Sequence, residues 1–320
     1  MLSFRSAVAD SGSYDGAHQG GRANYGVASV DTELHVAPHA HRKPQWLTGA
    51  WPSEIEPAHL DAMLRLPSAD AASRRASPLQ PLPLRRVRLL PGSAEAEAQE
   101  RNRRYLLDIL DADRLLHSFR VTAGLAPRAQ AYCAPGSGTS WEELGGACWE
   151  APDCELRGHF TGHYLSALAM LHVSTGDDIA RQRAEYVVAE MAAAQAAHGT
   201  SGYLSAFPEA TLSRLSKLKG VWAPVYTLHK VGAGLLDAHV LLGSTQALSV
   251  LRGLADYLLM WSEDIVAAHG DDYWFRKLME YNVTAFGAES GGMNELAFNL
   301  YALTADARYL SLASKFEHPE

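Results

Sequence analysis

Glu155, His159 and His163 recur at four-residue spacing within ELRGHFTGHYLSALAMLH, the stretch from Glu155 to His172. On a helix this spacing sets three polar groups along one face. There they could ligate a metal, carry acid–base chemistry, or satisfy one another inside a core. The two histidines have zinc-type spacing. The metalloprotease pattern, however, puts glutamate directly after the first histidine, and Phe160 stands there instead. His163 lies near a loop rich in Trp and Gly and is the candidate for ligand contact, while Glu155 and His159 are expected to brace the helix.

Two further constellations follow the same plan. In VWAPVYTLHKVGAGLLDAH, Trp222, Tyr226 and His229 precede an apolar helical run. In ESGGMNELAFNLYAL, Gly291 and Gly292 allow a tight turn, and Asn294 and Glu295 open the next helix. Glu295 also reads as a first-turn carboxylate favoured by the helix dipole. Three times an aromatic or glycine-rich loop delivers His, Asn or Glu to the mouth of an apolar helix. Rings with a few directional polar groups suit sugars, whose C–H faces stack while their hydroxyls need partners. Cys133, Cys148 and Cys154 cannot all pair and form no CxxC, so nothing in them calls for an oxidising compartment. Cys154 reads as a small buried residue. Asn282, in NVT, is a glycosylation acceptor only if the chain is exported.

The elements that must position these residues are helical. The 320 residues are 47% hydrophobic with a net charge of −8, a balance that argues against nucleic acid as a partner. No apolar run approaches the ~20 residues that span a bilayer. The first sixteen residues, MLSFRSAVADSGSYDG, lack the apolar core of an export signal. Residues 1–78 form a low-complexity, mostly disordered segment with one short helical pattern, Glu54 to Leu66. From residue 95 onward apolar periodicity predicts helices at about 157–173, 179–197, 226–241, 245–268, 292–303 and 306–316. They are preceded by one continuous pattern from Ser93 to Phe119. The segments LHVSTGDDIARQRAEYV, HVLLGSTQALSVLRGLADYL and LYALTADARYLSLASKF each read as helix, tight polar turn, helix, and recur about every 60–70 residues. The fold class is therefore all-α, a solenoid or closed toroid of helical hairpins.

At this point WEAPDCELRGHFTGHYLSA, GTSGYLSAFPEA, VWAPVYTLHKVGAGLLDAH and ESGGMNELAFNLYALTADARYL carry a resemblance. In order and spacing they are similar to the β-L-arabinofuranosidase group, glycoside hydrolase family 127 with its near relative family 146. The long plant and algal members are nearest, over about Leu79 to Glu317. The resemblance implies an (α/α)6 toroid that removes L-arabinofuranose from the non-reducing ends of plant-type glycans with retention. It also implies a zinc-bound cysteine thiolate as nucleophile and a glutamate as acid/base. His163 matches a family histidine that contacts the sugar and His229 a second, with Trp222, Tyr226, Asn294 and Glu295 completing the expected sugar-facing set.

The family's zinc and nucleophile residues come from Glu-Thr-Cys and Cys-Cys segments downstream of GGMNE, and no such segment occurs here. The nucleophile and the acid/base are therefore expected to lie beyond Glu320, and no catalytic residue is assigned. Zinc is expected in the full-length family site but not on this chain. Residues 79–320 are expected to be the N-terminal part of the catalytic domain, an incomplete, C-terminally truncated toroid with about eight of its helices. The expected partner is an arabinose-containing oligosaccharide or glycan. Plant relatives are exported, although no export signal is visible here. The alternative is a non-catalytic carbohydrate- or partner-binding helical protein.

Overall fold

The computed structural model describes residues 82–140, 143, 148–279 and 292–317. The N-terminal segment with its expected helix lies outside them, as do Trp141, Asn282 and Gly291. Glu320 also lies outside the described residues, so the expectation that the nucleophile and acid/base follow it has no structural counterpart here. Among the described residues the secondary structure is helical throughout, with no strand. The α-helices are α1 (Ala94–Arg104), α2 (Ala112–Thr122), α3 (His159–Thr175), α4 (Asp178–Ala197), α5 (Ala210–Leu215), α6 (Pro224–Leu242), α7 (Thr245–His269), α8 (Met293–Thr304) and α9 (Arg308–Lys315).

Local chemistry sets most of these boundaries. Ser93 caps α1 by accepting the Ala96 N–H at 3.1 Å. The helical pattern read from Ser93 to Phe119 is interrupted in the structure. The chain passes through a wide turn at Tyr105–Ile109, becomes extended at Leu110, and restarts when Asp111 accepts the N–H groups of Asp113 and Arg114 at 2.8 and 3.3 Å. A short acidic side chain competes for backbone donors in this way, so it terminates a helix that the apolar period alone would continue.

The three repeated segments are three hairpins, α3–α4, α6–α7 and α8–α9, each closed by a left-handed residue: Gly176, Gly243 and Ala305. In the first two the next residue, Asp177 or Ser244, caps the following helix through its side chain. A histidine four residues before the glycine locks each of these turns, with the Nδ1 of His172 and of His239 bonded to the carbonyls of Asp177 and Ser244 at 2.9 and 3.0 Å. The hairpins lie side by side. Helices α3, α6 and α8 form one layer, and α2, α4, α7 and α9 pack in series as the other. This is the all-α, two-layered hairpin architecture of an (α/α) toroid.

The core lies between the layers. Tyr164, Leu165 and Leu168 of α3, Val188 and Met191 of α4, Leu228 and Leu235 of α6, and Leu251 and Leu254 of α7 are all essentially inaccessible. Where α3 crosses α6 the backbones themselves touch. A β-carbon on Gly162 would overlap the Lys230 carbonyl and fall 2.7 Å from the Val231 nitrogen, and one on Gly234 would lie 2.5 Å from the Gly162 oxygen. This approach brings His163 on α3 close to Tyr226, His229 and Lys230 on α6.

Candidate functional site

The start of α3 is built from outside the helix. Glu155 precedes the helix rather than lying on it, since α3 begins only at His159. Its carboxylate accepts the Arg214 guanidinium at 2.9 Å and the Trp222 N–H at 2.6 Å, tying α5 and the loop before α6 to this turn. Arg157 supports the turn from the other side by donating to the carbonyls of Ala206 and Cys154 at 2.9 and 2.7 Å. Gly158 then adopts φ +96°, where a β-carbon would sit 2.7 Å from Ala206 and 3.1 Å from Phe119. Only glycine turns the chain here without strain and without a clash.

Glu150 completes this entry. One carboxylate oxygen accepts the Gly158 N–H and the other the Phe160 N–H, both at 2.8 Å, so the side chain satisfies donors that the first turn of α3 leaves open. The second oxygen also lies 3.1 Å from His159 Nδ1, which in turn lies 2.9 Å from the Leu156 carbonyl. His159 is buried, as expected of a bracing residue, and its ring is the centre of an aromatic group. Trp149, Tyr226 and His163 have ring centroids 5.6, 6.1 and 6.1 Å from it.

These residues line a cleft of about 520 Å³ whose other walls are Tyr105, Leu110, Leu115, Tyr132, Phe160 and the pair Cys133 and Cys148. The two cysteines form a disulfide across fifteen residues of the loop. Three cysteines without a CxxC do not announce such a bridge, and disulfides persist chiefly in oxidising surroundings. The structure here differs from the expectation that none of the cysteines would call for them. Beneath the cleft a small separate core of Ala151, Cys154, Leu156 and Ala223 packs against the disulfide, Trp222 and Tyr226, joining the loop before α3 to the loop before α6.

Of the residues singled out in the sequence, His163 and Tyr226 line the cleft. His163 is exposed to it, and desolvation by the surrounding walls, then the positive charge of Lys230, holds its pKa below the usual imidazole value. His229 is half-buried one turn beyond Tyr226. A β-carbon on Gly292 would come within 2.7 Å of its Nε2. Trp222 is half-buried above the small core, with its backbone N–H on Glu155. Asn294 and Glu295 lie in the first turn of α8. The Asn294 side chain accepts the Glu295 N–H at 2.8 Å, and Glu295 is exposed. The structure thus gathers two of the six at the cleft wall, holds His229 just behind them, and places the α8 pair apart. Sequence reasoning passed over Lys230, whose ammonium lies 4.9 Å from the centre of the Tyr226 ring, and gave Glu150 no role beyond its place in the loop. The signal for Glu150 was its position shortly before a helix whose start carries no Ser, Thr, Asp or Asn cap of its own.

Burial, then the positive charge of Lys230 and His163, draws the His229 pKa down to about 4. In the unfolded chain the same group titrates near 6.5. Between these values the unfolded state binds the extra proton, so His229 contributes stability in full above pH 6.5 and loses it progressively as pH falls to 4. Urea midpoints across this window should fall more steeply for the wild type than for His229→Gln. Parallel curves would show that the histidine is not buried in this way.

The described residues do not fit a zinc–thiolate centre. Cys133 and Cys148 are bonded to each other, Cys154 is buried with its pKa pushed up to about 11 mainly by desolvation, and no three His, Cys, Asp or Glu side chains converge. Nor does a three-ligand site form on Glu155, His159 and His163, because Glu155 is committed to Arg214 and Trp222. What the cleft offers is a stacking surface with one imidazole, His163, that favours the neutral state. A neutral imidazole both donates and accepts, which matches a hydroxyl group.

No helix among the described residues is long and apolar enough to cross a membrane. No curated protein matches the chain significantly. A protein-family model, by contrast, covers residues 86–320 and describes the β-L-arabinofuranosidase catalytic domain of glycoside hydrolase family 127. With the hairpin layers and the helix-mouth cleft already in place, that match over most of the length makes the chain a member of glycoside hydrolase family 127.

Proposed function

We propose that this chain forms a sugar-binding wall of a glycoside hydrolase that releases L-arabinofuranose from the non-reducing ends of plant-type glycans. The observation that carries the reading is the cleft at the start of α3, where Trp149 and Tyr226 offer ring faces beside His159 and His163. The rings take the C–H face of a sugar, and His163 exchanges hydrogen bonds with its hydroxyls. His229, one turn behind on α6, serves as a second polar contact, with Trp222, Asn294 and Glu295 as further sugar-facing groups. These residues bind and orient the glycan. Where the family's zinc is bound, it supplies an ionised thiolate nucleophile, and none of the residues named here holds it.

A second reading, carbohydrate binding without hydrolysis, is favoured by one feature. Glu150 is the one carboxylate lining the cleft among the described residues, and both its oxygens are engaged by the α3 N-terminus. Incubating the full chain with 4-nitrophenyl and methyl L-arabinofuranosides of both anomers, while following arabinose release and binding heat, separates the two. Release supports hydrolysis, binding without release supports the second reading, and neither result sinks both. In the same titration His163→Ala is expected to weaken binding about ten-fold, the worth of one or two hydroxyl contacts. Unchanged affinity would remove His163 from the sugar site.

A further inference from the structure

We propose that His159 reads a sugar hydroxyl through Nε2, and that Glu150 and the Leu156 carbonyl are the positioning groups that make Nε2 an acceptor. The inference rests on the cleft being a glycan site and adds the polarity of one contact within it.

Two acceptors face the same ring nitrogen. The Leu156 carbonyl lies 2.9 Å from His159 Nδ1 and a Glu150 oxygen lies 3.1 Å from it. Neither oxygen can donate, since a carbonyl and an ionised carboxylate have only lone pairs, so Nδ1 must carry the proton. In the uncharged ring Nε2 is then the nitrogen with the lone pair. Turning the ring over to exchange its nitrogens would set carbon against both oxygens and give up the Nδ1–H contact with each. Trp149, Tyr226 and His163 enclose it on several sides and leave little room for such a turn. Glu150 is itself fixed by two helix N–H groups, so the orientation of the imidazole is tied to the start of α3.

A bracing histidine deep in a core would need no more than this. His159 differs because it lines the cleft beside His163. Under this assignment the two histidines do different work. His163 can donate or accept as the hydroxyl requires, whereas His159 can only accept, so it selects a sugar that presents a hydroxyl proton at that point. A site with a fixed acceptor rejects an analogue lacking the matching hydroxyl more sharply than an adaptable one does.

The test uses the full chain and two variants. Nitrogen-15 NMR of labelled histidines reports the tautomer directly, and the expected result is a protonated Nδ1 and an unprotonated Nε2 on His159. A protonated Nε2 on an uncharged ring overturns the inference whatever the sugar does. His159→Asn keeps a donor at the Nδ1 position for Leu156 and Glu150 but has nothing where Nε2 stood. It should retain the fold and bind methyl L-arabinofuranoside roughly five- to ten-fold more weakly. Among mono-deoxy forms of that sugar, one should bind the wild type and His159→Asn equally, which identifies the hydroxyl that is read. Equal loss on every analogue, or no loss with the parent sugar, overturns the contact. Glu150→Gln, with a donor facing one of the helix N–H groups, should shift the His159 nitrogen signals and weaken binding of the same analogue series. Unchanged signals would exclude Glu150 as a positioning residue. If the wild-type chain binds no L-arabinofuranoside, the substrate reading fails and the hydroxyl contact with it, while the NMR result still decides the tautomer.

Discussion

A single methyl group at Gly162 is expected to destabilise the fold by about 3 kcal/mol and to loosen the cleft at the same time. Alanine is the better helix former by about 1 kcal/mol, so sequence propensity alone points the other way. The opposing term is larger because the contact is with backbone. The new β-carbon would overlap the Lys230 carbonyl and press on the Val231 nitrogen, and neither can rotate aside as a side chain would. Relief requires α3 and α6 to separate along the crossing, which unpacks Leu165 and Leu228 on either side. It also moves His163 away from Tyr226 and Lys230, so a folded Gly162→Ala chain should bind arabinofuranosides more weakly than its loss of stability explains. Denaturant midpoints and binding titrations on this variant measure both effects. A midpoint at or above that of the wild type would mean that the helices do not meet backbone to backbone.

This crossing also shows what the sequence could and could not reveal. The hairpin turns were legible because their chemistry is local: Gly176 before Asp177 and Gly243 before Ser244 are a helix stop and a helix start in adjacent residues. The helix expected at 245–268 is observed as Thr245–His269 for that reason. The break at Leu110 was missed because Asp111 on a periodic segment reads equally well as one more residue on a polar face. At the site, His163 and Tyr226 could be picked out by type and by their place at helix mouths. The work of Glu150 could not, since it depends on a loop folding back eight and ten residues to the N–H groups of Gly158 and Phe160. Lys230 was hidden for a related reason. Its place beside Tyr226 is ordinary helical spacing, and only the approach of α3 makes its charge felt at His163.

Opening the Cys133–Cys148 bridge is expected to lower stability by a similar amount, about 3 kcal/mol for a loop of this length, chiefly by freeing the unfolded chain. The consequence for the site follows from the order of residues. Trp149 and Glu150 come directly after Cys148, so the bridge anchors the ring that meets His159 and the carboxylate that caps α3. Without it this stretch keeps the Glu150 contacts and the small core around Ala151 and Leu156, and it should open locally before the hairpins unfold. Urea midpoints of the oxidised chain, the chain held in a phosphine reductant, and Cys133→Ser/Cys148→Ser should place the last two together. Both should lie about 1 M or more below the first. Coincidence of all three midpoints would show that the bridge does not restrict the unfolded chain or does not form. The third cysteine provides an internal control. Cys154 is buried and its thiol pKa is pushed up to about 11, so at neutral pH the native reduced chain should alkylate at two positions, and at the third only after unfolding. Affinity for L-arabinofuranosides should fall together with the midpoint in the reduced chain, because the bridge helps to hold Trp149 beside His159 at the cleft.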